Sequence, residues 1–431
     1  MSKLARVIQT IQKVRKSVLV KNIASLGFLQ ISNYIIPLLI IPFIARVLGV
    51  EMIGKVSYAQ GIIAYFTIIV NYGFEFSGTQ QIAIHRDNPK KINQIFWNVT
   101  SYKFIFLLLS FLLLFILNLF WDKIKPDFTL YFIVSLTNIG IFAFPAWFLQ
   151  GLEKMGYISI VNFIVKALGG LLIILLVKSP NDFFLYAALP SISFLVIGLL
   201  SFIYVIKKFN LSPFQFNLNI GESVKDGFPI FLNNLFISLY TTANFTILGF
   251  YVNDIEVGIY SGAQKIISAA LMVTSMPINI ALFPNISRKI NESPQKGFEF
   301  LIKTLKIVAL GTFLVSLFTY FLSPLLVQIL LGDSFADSIL LLQILSPLPF
   351  LVSVASLLSV QGLYGFGFKK FAPIIGAILG ISCVLINIYI IPIYGTLGAA
   401  TSWVIIEVAE IMIVGLVLSI LLPKKLNEKS I

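Results

Sequence analysis

The chain has 431 residues, of which 58% are hydrophobic and 11% are charged, and its formal net charge at pH 7 is +13. Apolar runs long enough to cross roughly 30 Å of hydrocarbon recur from end to end, which excludes a soluble globular protein and predicts a polytopic membrane protein. The basic balance reflects Lys and Arg in cytoplasmic loops rather than nucleic-acid binding. The chain has a single cysteine, Cys383, so it has no disulfide framework. Its single histidine, His85, has no second Cys or His ligand beside it, so we expect no metal site and no cofactor.

The first predicted element is a cytoplasmic, basic, amphipathic segment over residues 1–21. Apolar residues recur there at helical spacing among lysines and arginines, which is typical of a helix lying on an anionic membrane surface. Anionic membrane lipids are therefore an expected partner. No small-residue cleavage pattern precedes the first long apolar run, so we expect no removable signal peptide.

Twelve apolar segments follow, and together they predict an all-α polytopic membrane protein with about 12 transmembrane helices. They lie at about residues 22–45, 53–74, 103–121, 128–149, 158–177, 183–206, 228–251, 258–284, 305–328, 338–364, 371–392 and 397–422. Lys and Arg collect in the N-terminal tail and in alternate loops, whereas the loops after spans 7 and 9 carry only acidic charges. Both termini are therefore predicted to be cytoplasmic.

Two short sequences occur twice, which indicates an internal duplication. IGKVSYAQGI (53–62) is echoed by VGIYSGAQKI (257–266), and QGLEKMGY (150–157) by QGLYGFGF (361–368). Six spans separate each copy from its partner, so the halves are predicted to be parallel repeats. The predicted organisation is an N-terminal six-helix lobe (22–206), a cytoplasmic linker (207–227), a C-terminal six-helix lobe (228–422) and a cytoplasmic tail (423–431).

Polar side chains follow one face of several spans, which predicts a polar path between the lobes. Span 8 carries Ser261, Lys265, Ser268, Ser275 and Asn279, span 2 carries Gln60, Thr67 and Asn71, and span 7 carries Asn234. The alternative for the uncharged members is that they form hydrogen bonds between packed helices.

Four charged side chains lie away from the ends of predicted spans, where each costs about 2.5–3.5 kcal/mol unless it faces water or a partner. Lys166 is near the middle of span 5, and Glu407 and Glu410 are near the middle of span 12. The two glutamates share a helix face, so each raises the proton affinity of the other and a proton-carrying site is predicted. A structural pair with a lysine is the alternative. Lys265 has the further alternative of extending to the outer interface.

Other charged residues lie at the predicted ends of spans. Arg46, Glu75 and Lys103 are expected to extend to the interface or to form surface pairs.

Known catalytic patterns are missing from the sequence. GVEMIGKV (49–56) differs from a phosphate-binding loop at Val56, which replaces the Ser or Thr that meets magnesium, and no strand precedes it. The sequence also has no acid-rich or histidine-rich loop outside the predicted spans that could hold a transferase site. Transport driven by an ion or substrate gradient is therefore favoured over an enzyme.

Several motifs occur together in a characteristic order, namely PFIARVLG, IGKVSYAQ, YGFEFSGTQQIA, WFLQGLEKM and GIYSGAQKI. With these motifs, nearly the whole chain resembles the Wzx-type O-antigen and polysaccharide flippases of the multidrug/oligosaccharidyl-lipid/polysaccharide exporter superfamily. The resemblance implies two lobes in a V, which move an undecaprenyl-pyrophosphate-linked sugar repeat unit from the cytoplasmic to the periplasmic leaflet of a bacterial inner membrane by alternating access, with coupling to an ion gradient. It also implies a glycan polymerase and chain-length machinery as partners.

A cationic lumen for the anionic substrate is also implied by the resemblance, and the residues that match it are Lys166, Lys265 and Arg46. Lys265 takes the place of Gly61 in the first repeat, so we expect the head group to bind one lobe while the other closes over the sugars. The chain departs from the family in its two span-12 glutamates, Glu407 and Glu410, which are candidates for ion coupling.

Two other functions stay open at this point. A drug or small-cation extruder on the same scaffold would need acidic residues in the N-terminal lobe, where the deepest charge is Lys166. A membrane-embedded glycan polymerase or transferase would need a large external loop, but the predicted external loops are short.

Overall fold

The computed structural model describes residues 3–213, 216, 221–368 and 370–427, without the side chains of 3–27, 30, 31, 34, 221–223, 276–285, 287, 291, 424 and 427. Every long element in these ranges is a helix, and the described residues form no strand. The helices of the first half are α1 (Lys3–Asn71), α2 (Phe74–Ile84), α3 (Pro89–Phe120), α4 (Phe128–Ala143), α5 (Ala146–Gly151), α6 (Gly156–Leu176) and α7 (Phe183–Lys208).

The second half continues with eight further α-helices and one π-helix. These are α8 (Gly221–Thr241), α9 (Ala243–Tyr251), α10 (Asp254–Glu292), α11 (Pro294–Phe321), α12 (Ser323–Leu330), α13 (Ser338–Leu345), α14 (Leu348–Ser356), the π-helix Leu357–Tyr364 and α15 (Phe371–Asn427). Three-residue 3₁₀ turns at Lys125–Asp127, Pro180–Asp182 and Asp333–Phe335 precede α4, α7 and α13.

Eight stretches of the described chain are long and apolar enough to cross a membrane, which confirms the predicted class of all-α polytopic membrane protein. They are Ile35–Ile84, Pro89–Phe120, Lys125–Gly151, Gly156–Leu176, Pro180–Lys208, Pro294–Phe321, Ser338–Tyr364 and Phe371–Pro423. Predicted spans 7 and 8 fall on α8 to α10, outside these stretches. The twelve crossings and the cytoplasmic termini stay predictions.

Single glycines join the predicted spans at both ends of the chain. Gly49 (φ 73°, ψ 177°) interrupts α1 between predicted spans 1 and 2, and Gly395 (φ 54°, ψ −130°) interrupts α15 between predicted spans 11 and 12. Positive φ of this kind is open to glycine and strained for other residues. At each of these two positions, a single glycine interrupts a continuous helix between two predicted spans, where a loop was expected.

The chain divides into two compact units. Unit 1 comprises Met1–Ile40 and Ile62–Asn234, and unit 2 comprises Ile41–Gly61 and Leu235–Ile431. Unit 1 is centred on aromatic rings, among them Phe96, Trp147 and Phe148. Unit 2 has an aliphatic core on the inner face of α15. Segment 41–61, which holds a copy of the repeated sequence, packs with the unit that holds the other copy.

Gly49→Ala is expected to lower the melting temperature of the purified protein, because the backbone conformation at Gly49 costs other residues about 1–3 kcal/mol. Crowding is not the reason, since no atom lies within 4 Å of the position that a Cβ would take. Gly311→Ala in α11 is the matched control, because its Cβ also meets nothing within 4 Å and alanine is favoured over glycine inside a helix. A similar fall in both variants would contradict the prediction.

Candidate functional site

The two copies of the repeated sequence contact each other through equivalent positions. Ser57 on α1 and Ser261 on α10 are both buried, and their hydroxyl oxygens lie 2.7 Å apart. A Cβ on Gly54 would collide with the carbonyl oxygen of Asp254, and a Cβ on Gly258 with that of Val50. Ser57 thus meets its equivalent in the second copy, and the equivalent glycines Gly54 and Gly258 each approach the residue four positions before the other.

We call this contact the repeat seam and define it by Val50, Gly54, Ser57, Asp254, Gly258 and Ser261. All six residues belong to unit 2. Ser261, predicted to line a polar path, lies here in a hydrogen bond between packed helices, in keeping with the alternative given for the uncharged residues.

Oxidation of the double variant Ser57→Cys/Ser261→Cys in a Cys383→Ser background is expected to form a disulfide, because the two hydroxyls are already in contact. Adding Gly54→Ala should suppress the cross-link by forcing the two helices apart. Gly61→Ala is the matched control on the same helix, since its Cβ would lie 3.4 Å from the Cβ of Phe245, an ordinary contact. Mass spectrometry of linked peptides measures the yield, and equal yields with both alanines would contradict the prediction.

Arg46 lies close to the seam in the same unit. Its guanidinium donates to the carbonyl oxygen of Ile329 at 2.8 Å, at the C-terminal end of α12, and to that of Pro42 at 2.8 Å. A cation at this end of a helix satisfies free carbonyls and complements the helix dipole. The described contacts of Arg46 are therefore those of a helix cap.

Lys166 lies on α6 in unit 1, half-buried. Its ammonium donates to the side-chain oxygen of Asn33 at 2.7 Å and lies 4.6 Å from the centre of the Phe194 ring. Both partners are neutral, and within the described part of the chain no carboxylate pairs with it. The positive charge of Lys166 is thus held in place without being neutralised.

Lys265 is half-buried on α10, one turn beyond the repeat seam. No hydrogen bond or ion pair to its ammonium occurs among the residues whose side chains are described. Ser268 is half-buried on the same face, and Ser275 lies 3.2 Å from the hydroxyl of Ser353 on α14. The side chain of Asn279 lies outside the described residues.

The two glutamates of span 12 lie on α15 in unit 2. Glu407 is 4% exposed and accepts a hydrogen bond from the indole of Trp403 at 3.3 Å. Glu410 accepts one from the hydroxyl of Ser359 at 2.8 Å, in the π-helix. No salt bridge joins either carboxylate to Lys265 among the described side chains of unit 2. We call Glu407, Trp403, Glu410 and Ser359 the carboxylate cluster.

A second buried polar group, which the sequence analysis missed, lies in unit 2. The side-chain amide of Asn387 donates to the side-chain oxygen of Asn244, and the side-chain amide nitrogen of Asn244 donates to the carbonyl oxygen of Ala399 at 3.3 Å. Both asparagines are fully buried. Their position inside predicted spans 7 and 11 was the available signal, because an amide in lipid must find a partner.

The remaining polar-stripe residues have varied surroundings. Thr67 donates to the side-chain oxygen of Asn138 at 2.7 Å, which is again a bond between packed helices. Gln60 and Asn234 are exposed, and Asn71 is half-buried.

Lys103 is a cation whose environment differs from that expected at a span end. It is 3% exposed, and its ammonium donates to the carbonyl oxygen of Ile141 at 2.8 Å. Helix α4 ends at Ala143, and Pro145 has no N–H to complete the i+4 bond to Ile141, whose carbonyl oxygen accepts from the backbone N–H of Phe144 at 3.3 Å as well as from Lys103. Helix α3 begins at Pro89, well before the apolar run, which places Lys103 inside the helix rather than at its end.

The fold defines the class of protein. Lipid II flippase MurJ, in an inward closed conformation, matches with a TM-score of 0.71 at 15% identity, over 90% of this chain and 86% of that chain. The inward-facing conformation of a multidrug resistance MATE family transporter matches with a TM-score of 0.69 at 15% identity, over 95% of this chain and 100% of that one. The chain thus has the fold of polytopic membrane transporters of this type.

Sequence comparison then gives the family. Residues 19–290 match the model described as "Polysaccharide biosynthesis protein", and the chain belongs to that family. A "Putative O-antigen transporter" of Shigella dysenteriae is 30% identical over 400 residues, covering 91% of this chain and 98% of the relative. One of the same description from Escherichia coli (strain K12) is 28% identical over 384 residues, covering 89% and 92%. The predicted resemblance is confirmed, and the protein is a multi-pass protein of the bacterial inner membrane.

Proposed function

We propose that the protein is a flippase that moves an undecaprenyl-pyrophosphate-linked polysaccharide repeat unit from the cytoplasmic to the periplasmic leaflet by alternating access. Its family and the names of its relatives support a role in polysaccharide export. The observation that carries the proposal further is a half-buried cation in predicted span 8, Lys265, whose ammonium has no partner among the described side chains. A transporter of an anionic lipid needs such a charge, and the protein transports its substrate without altering it.

The substrate's diphosphate is the chemical group that fits these cations. A lysine in a partly dehydrated site attracts an anion strongly, because the local dielectric constant is low. Lys166 is held by neutral partners and keeps its charge available in unit 1. Lys265 has Gly61 as its counterpart in the first repeat, so a head group bound there would contact one copy of the repeat and not the other.

Coupling to an ion gradient is assigned to the carboxylate cluster. Glu407 and Glu410 lie three residues apart on α15, and each carries one described hydrogen bond, from Trp403 and Ser359 respectively. Two close carboxylates in a low dielectric favour binding of a proton or another cation, because both cannot stay charged without compensation. Binding and release at this cluster would then drive the exchange between inward-open and outward-open states.

Lys265→Ala is expected to abolish surface polysaccharide while the protein stays in the membrane, with lipid-linked repeat units building up on the cytoplasmic side. Lys265→Arg should keep part of the activity, because the charge survives while its shape changes. Lys306→Ala, at an exposed lysine of α11, is the control and should export normally. Normal export by both Lys265→Ala and Lys265→Glu at native expression level would refute the counter-charge role.

Glu407→Gln and Glu410→Gln are expected to remove the stimulation of translocation by an imposed ion gradient, because an amide cannot exchange a proton. The measurement is transfer of lipid-linked oligosaccharide in vesicles, with and without the gradient. Glu292→Gln, at an exposed glutamate at the end of α10, should keep full stimulation. If both glutamine variants retained it, the carboxylate cluster would be structural.

A further inference from the structure

Unit 1 contains an open cavity of about 570 Å³ between α3, α4 and α7. Four aromatic side chains line it, namely Trp97, Phe104, Phe142 and Phe202, together with Thr100, Ile206 and the segment 211–213. Packed protein contains few voids larger than a water molecule, and this volume lies in the range of small-molecule sites. A largely apolar space of this size, open on one side, suits an apolar occupant.

The wall formed by segment 211–213 is fixed by hydrogen bonds. The backbone N–H of Ser212 donates to the side-chain oxygen of Asn93 at 3.0 Å, and the amide of Asn93 donates to the Ser212 hydroxyl at 2.8 Å. The indole of Trp97 donates to the Ser212 carbonyl oxygen at 3.1 Å. These three bonds hold the chain after α7 against α3, so the cavity is a built feature rather than a gap under a loose loop.

Positive charge lies at one end of the cavity. Lys90, Asn93, Trp97 and Phe104 follow helical spacing on α3 and therefore share one face of the helix. Lys90 is exposed and precedes Trp97 by seven residues, or about 10 Å along the axis. It lies in the first turn of α3, where free amide groups also favour an anion. Two more lysines, Lys207 and Lys208, close the last turn of α7.

At the other end, the cavity continues onto a face made for hydrocarbon. Phe104 is partly exposed, and Leu108, Leu112 and Phe115 follow it on α3 as exposed apolar side chains. A chain lying in the cavity can therefore extend along this face into the bilayer. Charge at one end and apolar surface at the other match an amphiphile with an anionic head.

We propose that this cavity binds one acyl chain of an anionic phospholipid, with the lipid phosphate at Lys90. The walls offer hydrocarbon and aromatic surface to the chain, and the lysine supplies the counter-charge. The site is independent of the substrate that the protein transports.

The experiment uses the fluorescence of Trp97 in the full-length protein, reconstituted into phosphatidylcholine vesicles. A low mole fraction of phosphatidylglycerol with brominated acyl chains is expected to quench it more strongly than equally brominated phosphatidylcholine does. The difference between wild type and Trp97→Phe isolates the signal of this residue. Equal quenching by the two lipids would overturn the proposal.

Two lysine variants test the head-group contact. Lys90→Gln should reduce the preference for phosphatidylglycerol several-fold, whereas Lys91→Gln, which removes the same charge from another face of α3, should keep it. Equal losses would assign the effect to net charge and reject the site. Displacement of the brominated phosphatidylglycerol by an equal amount of undecaprenyl phosphate, but not by unlabelled phosphatidylglycerol, would assign the cavity to a polyprenyl chain instead.

Discussion

The organisation of unit 2 depends on one close approach, in which the backbones of α1 and α10 meet at Gly54 and Gly258. Lipid tails are as apolar as the side chains they surround, so helices in a membrane associate through tight van der Waals packing and hydrogen bonds between helices. The repeat seam supplies both, since the glycines bring the backbones together and the Ser57–Ser261 pair closes the polar gap. This contact groups segment 41–61 with unit 2.

Around this shared contact, the two copies of the repeat have different chemistry. Position 61 is glycine in the first copy, and its counterpart, Lys265, carries a positive charge with no described partner. The second repeated motif differs as well, since Gln150 is exposed on α5 whereas Gln361 is fully buried in a π-helix. The two copies therefore share the small residues of the repeat seam and differ in a charged residue at position 61/265 and in the burial of a glutamine at 150/361.

Much of this architecture could be predicted from sequence, because apolar runs of membrane length and a repeat with a fixed offset are strong signals. The site was harder to predict. Spacing places Ser261 and Lys265 on one stripe, yet it cannot say that the serine meets its own counterpart, which depends on how two helices pack. Lys103 was misjudged because the apolar run begins far inside α3. Its partner, the carbonyl oxygen of Ile141, lacks an i+4 donor because Pro145 has no N–H, a feature of another helix.

The repeat seam has the symmetry of a two-fold dimer, in which residue i of one chain touches residue j of the other and j touches i. In a dimer of identical chains with this contact, one substitution at the glycine position would alter the interface twice. In a single chain each copy can vary alone, but a side chain at either Gly54 or Gly258 still meets the opposing backbone. Position 61 has ordinary room beside Phe245, so the packing of the repeat seam does not require glycine there.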